Sequence, residues 1–373
     1  MADNMTAAQA LSYISDIDPY DPGKPVEALA AEFGIAPSDI VMLAANENAI
    51  GMPESAVAAV TETLRRGFRY PDGNAFGLKA AVSRRLGIPE DWIIQGNGSD
   101  EILGLIALAY LEPGRTCVFS QYSFSVYQLS AHMNGARTVE VPVKPDFTLD
   151  LDAMAAAAAD ESVSVLFITN PNNPTGLALT QAEIEAFLEK VPSRVMVVLD
   201  EAYREFMPED EQTDSMALLR RYPNLIVTRT FSKAYGLAGL RIGLGLAQAT
   251  TVELLNRIRA PYNANRLAQA AASAAIADDD FLRRTAELNR EGVQRLESAF
   301  KGLGLEYLPT KTNFIMVKVP GAAEVAKALL RSGIIVRGLR SYGLPDWMRI
   351  SVGCPEEITK FLDVFEKAVA SQR

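Results

Sequence analysis

Histidine is almost missing from this chain: one residue, His132, among 373. Metal centres built on HExxH or on several imidazoles are excluded, and no metal is expected. A Ser-His-Asp triad would have to use that single side chain, which sits in "LSAHMNGA" with no nucleophile motif nearby. We read His132 as structural, in a helix. Acid–base chemistry then falls to lysine, tyrosine or carboxylates. Cysteine is nearly as scarce. Cys117 and Cys354 lie far apart without CxxC spacing, so a reduced, cytoplasmic protein without a disulfide framework is expected.

Runs of positive charge are also lacking. With 36 Lys and Arg against 46 Asp and Glu the net charge is −10, which argues against nucleic acid or an anionic membrane surface as partner. A ligand carrying phosphate or carboxylate must be held by local cations and backbone N–H groups against that field. The longest apolar run, "ILGLIALAYL" between Glu101 and Glu112, is too short to span a bilayer. The acidic start "MADNMTAAQALSYISDIDPYDPG" has no basic stretch, so no signal peptide is expected.

What is present reads as a large domain with a smaller partner; a content of 49% hydrophobic and 22% charged residues is ordinary for a globular chain. "RTCVFS", "ARTVEVP", "SVLFITN", "RVMVVLD", "NLIVTRT" and "LRIGLGLA" read as strands, separated by helical stretches such as "DEILGLIALAYL" and "TQAEIEAFLEKV". Strands that are apolar along their whole length imply a sheet buried on both faces and mainly parallel. Beyond "LAQAAASAAIADDD" a long charged helix from about Asp280 leads into "TNFIMVKVP", "AAEVAKALLRSGIIVRGL" and "WMRISVG", a smaller α+β unit, with that helix bridging the two. The expected fold is α/β, a mixed, mostly parallel sheet sandwiched by helices plus a smaller α+β domain. The expected limits are an N-terminal segment over 1–45, a large domain over 46–279 and a small domain over 280–373.

Four segments at strand ends could carry chemistry, since ligands of such sheets gather beyond the C-terminal ends of the strands. In "WIIQGNGSDEILGL", Gly98, Ser99 and Asp100 open a helix whose free N–H groups suit a phosphate; Ser99 or Asp100 could equally be a plain helix cap. "VLFITNPNNPTG" runs a buried strand into two Asn-Pro steps, a stiff extended loop that aims amide side chains such as that of Asn173. In "MVVLDEAYREF", Asp200 closes an apolar strand, where a carboxylate needs a partner or caps the next helix, with Tyr203 just beyond. Finally, "TFSKAYGLAGLRIG" sets Lys233 and Arg241 among small and apolar residues. A buried lysine loses proton affinity and suits Schiff-base chemistry, although Lys233 could also reach solvent from a surface turn. The small residues between the two cations would let the backbone turn close to a ligand.

An acid for a pyridinium nitrogen, an amide and a phenol for a ring oxygen, a lysine for an aldehyde, and Ser, Arg and a helix start for a phosphate are the parts that pyridoxal phosphate requires. "NPNNPTG", "VVLDEAY" and "TFSKAYGLAGLRIG", in this order, resemble the fold-type I pyridoxal-phosphate aminotransferases. "PYDPGKP", "RYPDGNAFGLKAAV", "GNGSDE", "RAPYNANRLAQAA", "TNFIMVKV" and "MRISVG" are similar to the histidinol-phosphate aminotransferase family over nearly the whole chain, from about Tyr20 on.

The resemblance implies that Lys233 binds the cofactor covalently and moves the substrate proton, and that Asp200 pairs with the ring nitrogen. Asn173 and Tyr203 would hold the ring oxygen, while Ser232, Arg241 and Gly98, Ser99 and Asp100 cradle the phosphate. Tyr70 would reach that phosphate from the other subunit of a homodimer with shared sites. In "QYSFSVY" the ring-stacking residue would be Phe124, where the family more often has Tyr; Tyr122 and Tyr127 are the competing assignments. Arg349 would anchor the acceptor carboxylate and meet the substrate phosphate, with Arg337 and Tyr20 nearby and Tyr262 from the partner chain; Arg337 could instead be a surface arginine. Two departures are visible: "NENAIGMP" lacks the usual proline after NEN, and Arg340 in "RGLRSYG" adds a cation that could alter the phosphate pocket.

The implied reaction is transamination between L-histidinol phosphate and 2-oxoglutarate, giving imidazole acetol phosphate and L-glutamate, a step of histidine biosynthesis. An aromatic amino-acid aminotransferase is the nearest rival. A pyridoxal-phosphate lyase or decarboxylase of the same fold is another. A cofactor-binding regulatory module is disfavoured, because no DNA-binding segment or basic face accompanies the fold.

Overall fold

The computed structural model describes residues 10–15, 17 and 26–372, so the expected ligand Tyr20 lies outside the described residues. Its strands, in chain order, are β1 (Val41–Leu43), β2 (Ile93–Gly96), β3 (Thr116–Ser120), β4 (Arg137–Val141), β5 (Val163–Thr169), β6 (Met196–Asp200), β7 (Leu225–Thr230), β8 (Gly243–Ala247), β9 (Phe314–Lys318), β10 (Ile334–Leu339) and β11 (Leu344–Ser351).

Seven strands form one sheet in the order β2-β8-β7-β6-β5-β3-β4. From β4 to β7 every pairing is parallel; β8 alone runs against both of its neighbours, β7 and β2. All residues of β5 and β6 are buried. Their side chains alternate between two cores as the pleat demands: Leu166, Ile168, Val197 and Leu199 face one, Val165, Phe167 and Val198 the other. Fully burying each such side chain is worth about 1.5–3 kcal/mol on either face. That explains why these strands read as unbroken apolar runs rather than alternating ones.

Helices cover both faces and start where the local chemistry allows. The helix Gln181–Lys190 opens with a reciprocal capping box between Thr180 and Glu183. The helix Ser99–Tyr110 has Gly98 at its N-cap with φ +82 and no side-chain cap, which corrects the expectation that Ser99 or Asp100 might cap it.

The second sheet has the order β1-β10-β11-β9, with β1 parallel to β10 and the other pairs antiparallel. Its core gathers Val41, Ile315, Val317, Ile334, Met348, Ile350 and Phe361. The helix Asp279–Gly302 joins the two cores: Leu282 packs against the core of the larger sheet, while Leu296 and Phe300 belong to that of the smaller. Among the described residues, no helix is long and apolar enough to cross a membrane.

Candidate active site

The C-terminal ends of β5, β6 and β7 open into a cleft of about 550 Å³ between the two sheets. Asp200, the last residue of β6, lies at the cleft and is 3% exposed. Its Oδ2 accepts a 2.7 Å hydrogen bond from the Tyr127 phenol, and its Oδ1 is buried without a hydrogen-bond partner. Burial lifts the carboxyl to about 6, with the Tyr127 hydrogen bond pulling the other way. A buried carboxylate with one unsatisfied oxygen is suited to a ligand N–H.

Lys233 follows β7 by three residues and lines the same cleft. Its Nζ donates to the Ala45 carbonyl oxygen at 2.9 Å. Desolvation, helped by the nearby Arg349 charge and opposed by Glu47, brings its pKa down to about 8. Lys233 is half-buried, with its amine held in the cleft by the Ala45 carbonyl oxygen.

Asn173 and Tyr203 line the same cleft. The Asn172 N–H donates to the Leu177 carbonyl oxygen and the Gly176 N–H to the Asn172 carbonyl oxygen, both at 2.8 Å, so the segment is folded rather than extended as its sequence suggests. Asn173 Oδ1 accepts from Arg349 Nη1 at 2.5 Å, which leaves the Nδ2 hydrogens for other partners. The Tyr203 oxygen accepts from Asn46 Nδ2 at 3.0 Å, and among the described residues nothing takes its own O–H. Burial raises that phenol to about 12 despite the Arg349 charge and the Asn46 bond, so it stays a donor at neutral pH.

At the other end of the cleft, Arg241 Nη1 reaches Ser232 Oγ at 3.4 Å and the Ala238 carbonyl oxygen at 3.2 Å, and Nη2 lies 3.3 Å from Asp100 Oδ2. The packing here requires glycine. A Cβ on Gly98 would sit 2.5 Å from Arg241 Nη2, and one on Gly243 would sit 2.3 Å from the Ser99 nitrogen. Only bare backbone lets the arginine, the serine and the start of a helix converge.

The small residues after Lys233 have more than one cause. Gly236 has φ +69, and a Cβ there would lie 2.0 Å from the Gly51 carbonyl oxygen; Ala234 and Leu237 are core residues. Gly236 is therefore bare to admit the Asn46–Gly51 loop, while Ala238 of the same stretch lines the cleft and its carbonyl oxygen accepts from Arg241 Nη1 at 3.2 Å.

Of the three aromatic candidates, Phe124 lines the cleft. Tyr122 packs away from it, beside Phe147 in a cluster with Trp347, and Tyr127 is fully buried beneath Asp200. Arg337 and Arg349 are cross-strand partners on β10 and β11, and both line the cleft. Arg349 also donates through Nη2 to the Ala44 carbonyl oxygen at 2.6 Å and lies 5.2 Å over the Phe314 ring. Arg337 makes no ion pair or hydrogen bond among the described residues and is not a plain surface arginine. Arg340 is exposed and outside the cleft lining, which corrects the idea that it adds a cation to the pocket; the turn after β10 aims it outward. Tyr70 and Tyr262 lie outside the lining as well. They stack on one another, centroids 4.7 Å apart, and are 76% and 47% exposed.

Four contributors have places in the site that no motif assigns to them. Asn46, at φ +55, exchanges hydrogen bonds with the Ser351 hydroxyl and bonds Tyr203, so it ties β11 to the cleft across 305 and 157 positions of sequence. Glu47, Tyr127 and Tyr342 are the others. The NEN motif was in view; that its first Asn bridges two sheets could not be read from spacing.

A family model described as "Aminotransferase class I and II" matches residues 38–365. The chain belongs to the class I and II aminotransferases. It is 52% identical, over 96% of each chain, to histidinol-phosphate aminotransferase 2 of Ralstonia nicotianae. It is 47% identical to histidinol-phosphate aminotransferase 1 of Thiobacillus denitrificans, over 99% of this chain and 96% of that one. Among solved structures, the histidinol-phosphate aminotransferase of Sinorhizobium meliloti in complex with pyridoxal-5'-phosphate superposes with a TM-score of 0.90 at 30% identity, covering 98% of this chain and 99% of that one. The fold is that of the fold-type I enzymes. This aminotransferase depends on pyridoxal phosphate and acts on amines and 2-oxo acids. The cleft fits the cofactor: the unsatisfied Asp200 oxygen can take a ring N–H, and the glycine-lined convergence of Arg241, Ser232 and the helix start can take a phosphate.

Proposed function

We propose that this aminotransferase transfers the amino group of L-histidinol phosphate to 2-oxoglutarate, giving imidazole acetol phosphate and L-glutamate in histidine biosynthesis. The observation that carries the substrate choice is the pair of guanidinium groups, Arg337 and Arg349, set side by side on β10 and β11 in the cleft that holds Lys233 and Asp200. One guanidinium would serve the carboxylate of an amino acid or an oxo acid; a second suits the phosphate of a phosphorylated amine. The full-length relatives named above support the same reading.

In this proposal the bound cofactor supplies an aldehyde that takes up the amino group and a ring that accepts electrons from the substrate α-carbon. The protein does the rest. Lys233 Nζ anchors the cofactor and afterwards, as a neutral amine favoured by its lowered pKa, takes the α-proton and returns it. Asp200 holds the ring-nitrogen proton, and Asn173 and Tyr203 donate to the ring oxygen. Ser232, Arg241, Gly98, Ser99 and Asp100 form the phosphate end, Asp100 through the position of Arg241. Phe124 covers the ring face. Arg349 receives the acceptor carboxylate, exchanging its present bonds to Asn173 and Ala44, and Arg337 receives the substrate phosphate. We further propose a cytoplasmic homodimer in which the exposed Tyr70–Tyr262 stack reaches the partner's site. The domain limits of 46–279 and 280–373, with 1–45 as a separate segment, remain our proposal.

Half-reactions followed by absorbance test the substrate choice. Histidinol phosphate should react at least about tenfold faster than histidinol or phenylalanine, in line with one lost charge-assisted contact. Equal rates with phenylalanine would replace this reading by an aromatic amino-acid aminotransferase, and amine loss without need of an oxo acid by a lyase.

A further inference from the structure

Tyr127 stood among the candidates for stacking on the cofactor, and its position gives it another task. Its ring is fully buried, parallel to Phe167 at 4.5 Å between centroids and 6° between planes. Its oxygen lies 2.7 Å from both Asp200 Oδ2 and Thr169 Oγ1. Thr169 and Asp200 are register partners at the ends of β5 and β6, so strand pairing sets two corners of this triangle, and the helix Val126–His132 brings the third. A phenol has one hydrogen. An ionised Asp200 can only accept, so Tyr127 must donate to it and Thr169 must donate to Tyr127. The result is a one-way chain of hydrogen bonds, Thr169 to Tyr127 to Asp200, in a dry setting where such bonds reinforce each other.

We propose that Tyr127 is a positioning residue that keeps Asp200 ionised and fixed in orientation, so that the proton shared with the cofactor ring rests on the ring nitrogen rather than on the carboxyl. The other charged or titratable groups acting on Asp200 are few. Asp100 raises its proton affinity, and Tyr203 lies close enough to feel its charge. Without Tyr127, the largest influence holding Asp200 ionised is gone, and desolvation and the Asp100 charge are opposed only by the Thr228 hydroxyl and the Ala202 N–H. A ring without its proton is a weaker electron sink. The inference rests on the function proposed above, yet the two can fail separately.

The test uses holoenzyme loaded with pyridoxal phosphate carrying nitrogen-15 in the ring. Tyr127→Phe removes the hydroxyl and keeps the ring that stacks on Phe167. The ring-nitrogen resonance of the variant should move from the protonated toward the unprotonated position. Its kcat should fall about tenfold while the KM for amine and oxo acid stays within about twofold, the scale of one hydrogen bond to a charged group. Thr169→Val, which removes only the first donor of the chain, should move both readouts in the same direction by less, and Thr169→Ser should restore them. If Tyr127→Phe does not fold, the Thr169 pair decides: a valine variant indistinguishable from the parent overturns the inference. A Tyr127→Phe enzyme with an unshifted resonance and unchanged kcat overturns it as well, while leaving the aminotransferase reading intact. A parent that binds no labelled cofactor overturns both.

Discussion

Asp200 shows what a single side chain costs and what it contributes. Its pKa in the folded chain is raised from 3.8 to about 6 by burial. Between those values the folded chain keeps a proton that the unfolded chain has released, so stability falls as pH rises through the window. Above pH 6 the penalty is fully present, and two pKa units correspond to about 3 kcal/mol. Cofactor-free Asp200→Asn protein should therefore melt about 5 °C higher than the parent at pH 7.5. Near pH 3.5 the two should melt together. Calorimetry at both values checks this, and identical melting at pH 7.5 would mean that the carboxylate is not destabilised by its surroundings. Turnover should move the opposite way, falling about 100-fold or more once the charge that holds the ring proton is gone.

At the scale of elements, the strand pair β10 and β11 decides what the cleft accepts. Antiparallel pairing puts Arg337 directly opposite Arg349, and the pleat turns both to the same side. Two like charges at that distance repel, an arrangement stabilised when an anion lies between them. Arg337→Ala should raise the KM for histidinol phosphate about 10- to 100-fold and leave that for 2-oxoglutarate within about twofold. Steady-state kinetics with each substrate varied checks this; an equal loss for both would assign Arg337 to a general anion site. "WMRISVG" marks Arg349 by motif, whereas the register that brings Arg337 opposite it belongs to the sheet. Likewise β5 and β6 were legible as buried strands because both their faces are apolar, and the residues at their ends followed from the strand-end rule. The folded course of "NPNNPTG" was not legible, since an Asn-Pro step reads as extended until neighbouring chain closes over it.

For the whole molecule the exposed aromatic surface is decisive. Phe68, Tyr70, Phe76 and Tyr262 are 79%, 76%, 62% and 47% exposed, and exposed clusters of large apolar side chains mark interaction surfaces. If the homodimer shares its sites, two defective chains can rescue each other. Mixing Lys233→Ala with a Tyr70 variant through reversible unfolding should yield hybrids with one intact site. Random pairing then restores about a quarter of parental activity. Activity after mixing that stays at the mean of the two separate variants would show that each subunit works alone.

The sequence by itself determined the class of chemistry, because the near absence of histidine left lysine, tyrosine and carboxylates to act. It also determined where most of them would stand, because a strand end is a local feature written into consecutive residues: Asp200 after "MVVL", Asn173 after "VLFIT", Lys233 after "IVTRTFS". The tertiary structure alone decided what lies behind and between them. Tyr127 meets Asp200 across 73 positions, Asn46 meets Ser351 across 305, and Gly236 is bare because Gly51 passes beside it. Such pairings depend on which strands become neighbours and in what register, and that is set by burial of the two cores as a whole rather than by any short stretch of residues.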